Sequence, residues 1–193
     1  MKLPFDHFDL VARAYDRVLP AAVDGRLQEA LALEPGHWLV DVGGGTGARA
    51  AQLALAGARP AVCDRSQGMA RQAQAKGIPA LLGSVARLPF ADGSLDRLLV
   101  VDAFHHFTRP SPAVQVQAAF ELLRVLRPGG RLVLQEMDIR HWGVKAVALG
   151  ERLFLMGSRF LKPAQLRTLF ETAGARLLAE EPNGSEVIFV FTK

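Results

Sequence analysis

Cysteine is almost missing from this chain: Cys63 is the single one among 193 residues. That excludes a disulfide framework and a cysteine-built zinc cluster, and it agrees with a reducing, cytoplasmic setting. Long apolar runs are missing too, since no stretch approaches the roughly 18 residues that span a bilayer. The first residues carry one lysine, then Pro4, Asp6, His7 and Asp9, which is not the pattern of a secretory leader. The formal charge is only +4, too small an excess to argue for a nucleic-acid partner. Internal repeats and low-complexity linkers are absent. The expectation is therefore one domain over residues 1–193.

The charge that is present gathers in one place. Between Ile139 and Lys162, the cations Arg140, Lys145, Arg152, Arg159 and Lys162 face Glu151 alone. This segment's excess equals that of the whole chain. It also carries Trp142, Phe154, Leu155, Met156 and Phe160. Apolar bulk beside arginine suits an aromatic or lipid-like small molecule with an anionic group. A basic amphipathic helix here could also rest on an anionic membrane surface as a peripheral contact. A packed helix with a solvated basic rim is the plainer reading.

Alternating strand and helix patterns dominate the middle of the chain. Strands are expected over residues 37–42, 59–63, 80–82, 97–101 and 131–136. Helices are expected between them over 48–56, 67–76 and 113–126, with a tight turn at 127–130. A helix over 163–173 follows, and then short strands over 176–179 and 187–192 around a Pro182-Asn183-Gly184-Ser185 turn. The predicted fold is α/β: a Rossmann-like, seven-stranded, mostly parallel sheet flanked by helices and closed by an antiparallel hairpin. Upstream, Phe8, Val11, Ala12, Tyr15, Val18 and Leu19 fall on one helical stripe. A second helix is expected over 26–33, with Gly25 as the break.

The most informative stretch is Leu39-Val40-Asp41-Val42-Gly43-Gly44-Gly45-Thr46-Gly47. A buried strand, a glycine turn and a helix hold a nucleotide-like cofactor at the carboxyl edge of an open sheet. Gly43-x-Gly45-x-x-Ala48, followed by Asp64, is a loose dinucleotide fingerprint. Asp41, however, puts an acid where a pyrophosphate would lie. It would repel a dinucleotide and suit a cofactor bearing an ammonium group.

Five segments in order resemble the motifs of class I S-adenosylmethionine (SAM)-dependent methyltransferases. They are Asp41–Gly47, Asp64-Arg65-Ser66-x-x-Met69, Gly83–Asp96 around Leu88-Pro89-Phe90-x-Asp92-Gly93-Ser94, Val101–Phe107, and Leu123–Gly130. The nearest subgroup is the small-molecule "type 11" class, close to the quinone-biosynthesis enzymes. The resemblance implies methyl transfer from SAM to a small-molecule acceptor, with S-adenosylhomocysteine as product and no metal. It implies N-terminal lid helices in 1–33, a SAM-binding core in 37–138, a substrate or lid insertion in 139–162, and a closing helix and hairpin in 163–193.

It also implies roles. Gly43 and Gly45 pass under the methionine part, and Asp41 meets its ammonium directly or through water; the plainer reading is a tight turn with a capping acid. Asp64 accepts from both ribose hydroxyls, since a carboxylate is acceptor-only and the diol offers two donors. Arg65 and Met69 cover the adenine, although Met69 fits a plain core equally well. Ser84 stands where the family often has an aspartate for the adenine amino group, and the Val85 N–H reads a ring nitrogen. Asp102 faces the amino group or the acceptor, or is a solvated loop acid. His105 and His106 line the acceptor pocket; if either is a general base, it is His106. Tyr15, with Phe8, belongs to a lid or to ordinary helix packing, and Trp142 to the substrate element. Two competing readings are a noncatalytic SAM-binding domain and an RNA methyltransferase. The latter is disfavoured because no Asn-Pro-Pro-Tyr-like element follows the fourth strand.

Overall fold

The computed structural model describes residues 8–9, 12–18, 23, 25–55, 57–153 and 156–193. Upstream of the sheet lie α1 (Tyr15–Val18) and α2 (Gly25–Leu31). The alternating region is β1 (Trp38–Val42), α3 (Ala48–Ala54), β2 (Arg59–Asp64), α4 (Gln67–Ala75), β3 (Ala80–Leu82) and β4 (Leu95–Val101). A 3-10 turn over Phe104–His106 leads on to α5 (Ala113–Val125) and β5 (Leu126–Met137). The chain closes with α6 (Trp142–Leu153), α7 (Pro163–Thr172), β6 (Arg176–Asn183) and β7 (Glu186–Thr192).

The seven strands form one sheet in the order β3-β2-β1-β4-β5-β7-β6. The first five are parallel, and β7 pairs antiparallel with both β5 and β6. The expected architecture is observed. Chain order reverses between β1 and β4, and in open α/β sheets a ligand crevice opens at the carboxyl ends of the strands flanking that point.

Strand alternation gives each face of the sheet its own core. Val40, Val42, Leu98, Val100, Leu132, Leu134, Phe189 and Phe191 pack with Leu122 of α5 and Phe170 of α7. Leu39, Leu99, Val101, Val133, Ile188 and Val190 pack with Leu27 and Leu31 of α2 and Leu53 of α3. Both faces are covered, which is why the central strands read as unbroken apolar runs.

Some boundaries differ from the sequence reading for local reasons. Gly25 opens α2 instead of breaking it. The helix stops at Leu31 because Ala32 turns left-handed (φ 42°) and Arg97 takes the terminal carbonyls: its Nε donates to Leu31 O at 2.6 Å and its Nη2 to Ala32 O at 2.8 Å. The expected turn at 127–130 is a bulge inside β5, set between the pairs Leu95↔Leu126 and Arg97↔Arg131. In the terminal hairpin Asn183 pairs with Glu186. The loop is therefore Gly184-Ser185, with Gly184 at φ 63°, as in a II′ turn. The upstream stripe is not one helix: residues 12–14 form a turn before α1. Val11 and Leu19 lie outside the described residues, as do Phe154 and Leu155.

Phe170 has no exposed surface and stacks on Phe191 with 4.9 Å between ring centroids. Phe170→Ala is expected to cost about 3–5 kcal/mol. Leu55→Ala, at a side chain 89% exposed, is expected to stay within about 0.5 kcal/mol. Urea unfolding of the two variants checks the contrast.

Candidate functional site

The turn after β1 is built for close approach. Gly43 holds φ 75°, and a Cβ there would lie 2.7 Å from the Ala103 Cβ. At Gly44 a Cβ would fall 2.5 Å from the Asp41 Cγ. The chain thus doubles back over its own acid and against the turn that follows β4. Gly45 (φ 56°) donates its N–H to Asp64 Oδ2 at 3.0 Å, so the glycine loop and the end of β2 are tied together. Asp64 Oδ1 accepts from the Ser66 N–H at 2.8 Å. Ser66 then caps α4, accepting from the Met69 N–H at 3.1 Å.

A cleft opens along these carboxyl ends, at the place where an open α/β sheet holds its ligand. Its walls bring together Gly43, Gly45, Asp64, Arg65, Met69, Ser84, Val85, Asp102 and His106. A second chamber continues from it toward α6 and adds Arg49, His105, Val147, Glu151 and Met156. The two share Phe8, Tyr15, Gly43, Gly45, Asp102 and His106. Phe8 meets Tyr15 and His106 edge-on, at centroid distances of 6.4 and 5.2 Å.

Two residues of the expected set stand apart. Trp142 lies on α6, 83% exposed, and lines neither chamber; Lys145 Nζ sits 4.7 Å above its ring. Asp41 is buried beneath Gly44 and also lines neither chamber. It alternates with Val40 and Val42, so it faces the opposite side of the sheet.

Asp102, which the sequence reading also placed at the ligand, lines both chambers. It holds φ 51°, a left-handed conformation that aspartate tolerates better than most residues. Arg49 Nη2 lies 3.4 Å from its Oδ2, while Oδ1 is buried with no partner. Burial raises its pKa to about 7, helped by Glu186 and Glu136 and opposed by Arg49. Burial likewise raises Asp41 to about 7, with Arg49 opposing and Asp64 assisting. Cys63 lines the cleft as a buried thiol pushed up to about 12 by burial.

The two histidines differ in environment. His105 Nδ1 lies 2.7 Å from Glu136 Oε2, and its ring stacks on Phe160 at 4.4 Å. Burial pulls its pKa down, but the charge and hydrogen bond of Glu136 prevail and the net shift is upward. His106 Nδ1 meets Ser158 Oγ at 2.9 Å. Burial, with His105 and Arg109, lowers it to about 3. Such an imidazole is neutral at pH 7 and far weaker than a general base working there, which argues against His106 as the proton acceptor.

Four further residues were not singled out from sequence. Asp9 Oδ1 accepts from Ser66 Oγ at 2.6 Å and from the Gly68 N–H at 2.7 Å. Asp16 accepts from Thr46 Oγ1 and pairs with Lys76 at 2.8 Å. Together they strap the N-terminal segment across the cleft. Glu136 also accepts from the Phe104 N–H at 2.6 Å, which sets the histidine turn. Glu151 was legible only as the lone acid of its basic segment.

Comparison with known proteins bears on this site. The family described as "Methyltransferase domain" matches residues 40–134, which span the glycine turn, Asp64, Asp102 and both histidines. The demethylmenaquinone methyltransferase of Beutenbergia cavernae is 38% identical over 144 residues, 70% of this chain and 58% of that protein. The chain belongs to the SAM-dependent methyltransferase family. A second demethylmenaquinone methyltransferase, from Mycolicibacterium vanbaalenii, is 36% identical over 68% of this methyltransferase chain and 58% of its own. The chain thus spans under two thirds of these relatives' length. Among solved structures, a Thermotoga maritima SAM-dependent methyltransferase described as "possible histamine N-methyltransferase" aligns with a TM-score of 0.77 at 25% identity. It covers 96% of this chain and 98% of that one. No helix among the described residues is long and apolar enough to cross a membrane.

The glycine geometry makes a graded prediction. Gly45→Ala meets only the Met69 sulfur at 3.8 Å and is expected to cost about 1–2 kcal/mol, the left-handed strain alone. Gly43→Ala adds the clash with Ala103 and is expected to cost more. Thermal melts of the two variants should rank them in that order.

Proposed function

We propose that this protein transfers the methyl group of SAM to a small-molecule acceptor that is aromatic or lipid-like and carries an anionic group. One observation carries the reading: the cleft lined by Asp64 is continuous with the chamber beneath α6, and the two join at Gly43, Asp102 and His106. SAM fits the first part. The Asp102 carboxylate, whose Oδ1 has no partner, suits its ammonium, and the Asp64 carboxylate, oriented by the Gly45 and Ser66 N–H groups, suits a ribose diol. Arg65 and Met69 flank the adenine, while Ser84 and the Val85 N–H meet its edge. Asp41 acts from below the loop, adding negative potential without contact.

SAM supplies an activated methyl group on a sulfonium. The residues of the chain position the acceptor and exclude water. Phe8 and Tyr15 roof the junction and serve as part of the lid. His106 orients the acceptor instead of taking its proton. Arg49 and Arg109 line the cleft walls and suit the acceptor's anionic group. The relatives named for demethylmenaquinone support a quinol-like acceptor. So does α6, whose Trp142, Leu149 and Leu153 are 83%, 60% and 74% exposed and could meet a lipid surface.

Label from methyl-tritiated SAM is expected to pass into an organic-extractable product when a lipid or quinol extract is supplied. Asp64→Asn is expected to weaken SAM binding about tenfold to a hundredfold, the range for a lost charge-assisted hydrogen bond. Tight SAM binding with no label transferred to any extract would defeat the catalytic reading.

The pKa of Asp102 gives a pH test. In the empty cleft the group is half-protonated near pH 7, and an ammonium favours its charged form. Binding therefore releases a proton, and SAM affinity should rise between pH 6 and pH 8. Asp102→Asn should remove most of that rise; calorimetry at the two pH values would contradict the contact if the slope survived.

A further inference from the structure

We propose that His105, His106 and Glu151 form a binding site for one divalent transition-metal ion, of which Zn²⁺ is the test case, at the acceptor end of the cleft.

The three side chains come from two separate elements. The histidines sit on the turn after β4, and Glu151 reaches across from α6. Glu151 Oε1 lies 3.9 Å from His105 Nε2 and 3.9 Å from His106 Nε2. One ligand atom from each residue falls within 4.8 Å of the others. A separation of 3.9 Å is too long for a hydrogen bond. It is close to what a shared ion requires: atoms bound about 2.0–2.1 Å from a tetrahedral zinc are about 3.4 Å apart. The histidine–carboxylate pairs need to draw in by about half an ångström.

The far side of each histidine is already held. His105 Nδ1 is bound to Glu136 Oε2, whose carboxylate is fixed in turn by the Phe104 N–H. His106 Nδ1 is bound to Ser158 Oγ. Metal-bound histidines almost always have their second nitrogen engaged in this way, which fixes the ring and its tautomer. With Nδ1 engaged by Glu136, the Nε2 of His105 faces Glu151, and an ion bound there displaces any proton that nitrogen carries. Neither Nε2 makes a hydrogen bond among the described residues, and Glu151 Oε2 is buried with no partner. Three potential ligand atoms thus converge on one point. A cation satisfies all of them at once.

Two imidazoles and one carboxylate suit a borderline ion such as Zn²⁺, and not the hard, oxygen-seeking Mg²⁺ or Ca²⁺. Three protein ligands leave a position open. His105, His106 and Glu151 all line the second chamber, so that position can hold water or an oxygen of the acceptor. The acceptor's place there rests on the methyl-transfer reading; the metal's does not.

The test uses the whole chain, with any affinity tag removed, after dialysis against a chelator. Titration calorimetry with Zn²⁺ should show one ion per chain, and Co²⁺ should give ligand-field absorption bands. Glu151→Gln should weaken Zn²⁺ binding more than tenfold and abolish the Co²⁺ bands. Ser158→Ala, which touches only the outer contact, should weaken it by about tenfold and carries the test if the first variant does not fold. SAM affinity should be unchanged in both. Zn²⁺ binding that is absent, or equal in wild type and both variants, would overturn the proposal. Metal binding without any SAM binding would uphold it and overturn the methyl-transfer reading instead.

Discussion

Strands β1, β2 and β4 each end on or beside an aspartate, and the cost of keeping three carboxylates together away from water shapes everything around them. Asp64 is answered by two backbone N–H groups, from Gly45 and Ser66. Those bonds draw the glycine turn down onto the end of β2. Asp41 and Asp102 have no comparable donors and share the influence of Arg49. Desolvation therefore raises both, with Asp64 adding to it at Asp41 and Glu186 and Glu136 adding to it at Asp102. A positively charged ligand relieves that unfavourable arrangement, so part of its affinity is stored in the empty protein.

Much of this was legible in the sequence because the signals are local. An apolar strand, a glycine run and an Ala/Leu-rich helix can be read between Leu39 and Ala56, and the structure places strand, turn and helix in that order. The parallel order and the closing hairpin followed from the alternation of patterns. What sequence missed depends on direction or distance. Asp41 was assigned to the cleft by adjacency, yet in a strand adjacent side chains point to opposite faces. Its neighbours Val40 and Val42 took one face, so Asp41 took the other. Asp102 inherited the cleft because its backbone leaves the β region.

Glu151 and Glu136 illustrate the other limit. One sits on a helix beyond β5, the other inside β5, and both converge on a turn more than 30 residues upstream. No periodicity links such positions. Only the approach of Glu151 on α6 and Glu136 on β5 to that turn does. The hairpin shift has a similar origin: Asn183-Gly184 looked like the tip, but cross-strand pairing of Asn183 with Glu186 moved the bend by one residue.

The strap across the cleft shares its fastening with the floor. Asp9 is bonded to Ser66 and Gly68, and Ser66 belongs to the same loop that steadies Asp64. Asp16 is tied to Thr46, within the glycine turn itself. Roof and floor are thus stitched at both ends, and neither can shift without tugging the other. A displacement of the Asp64 loop or of the glycine turn is therefore passed directly to Asp9 and Asp16.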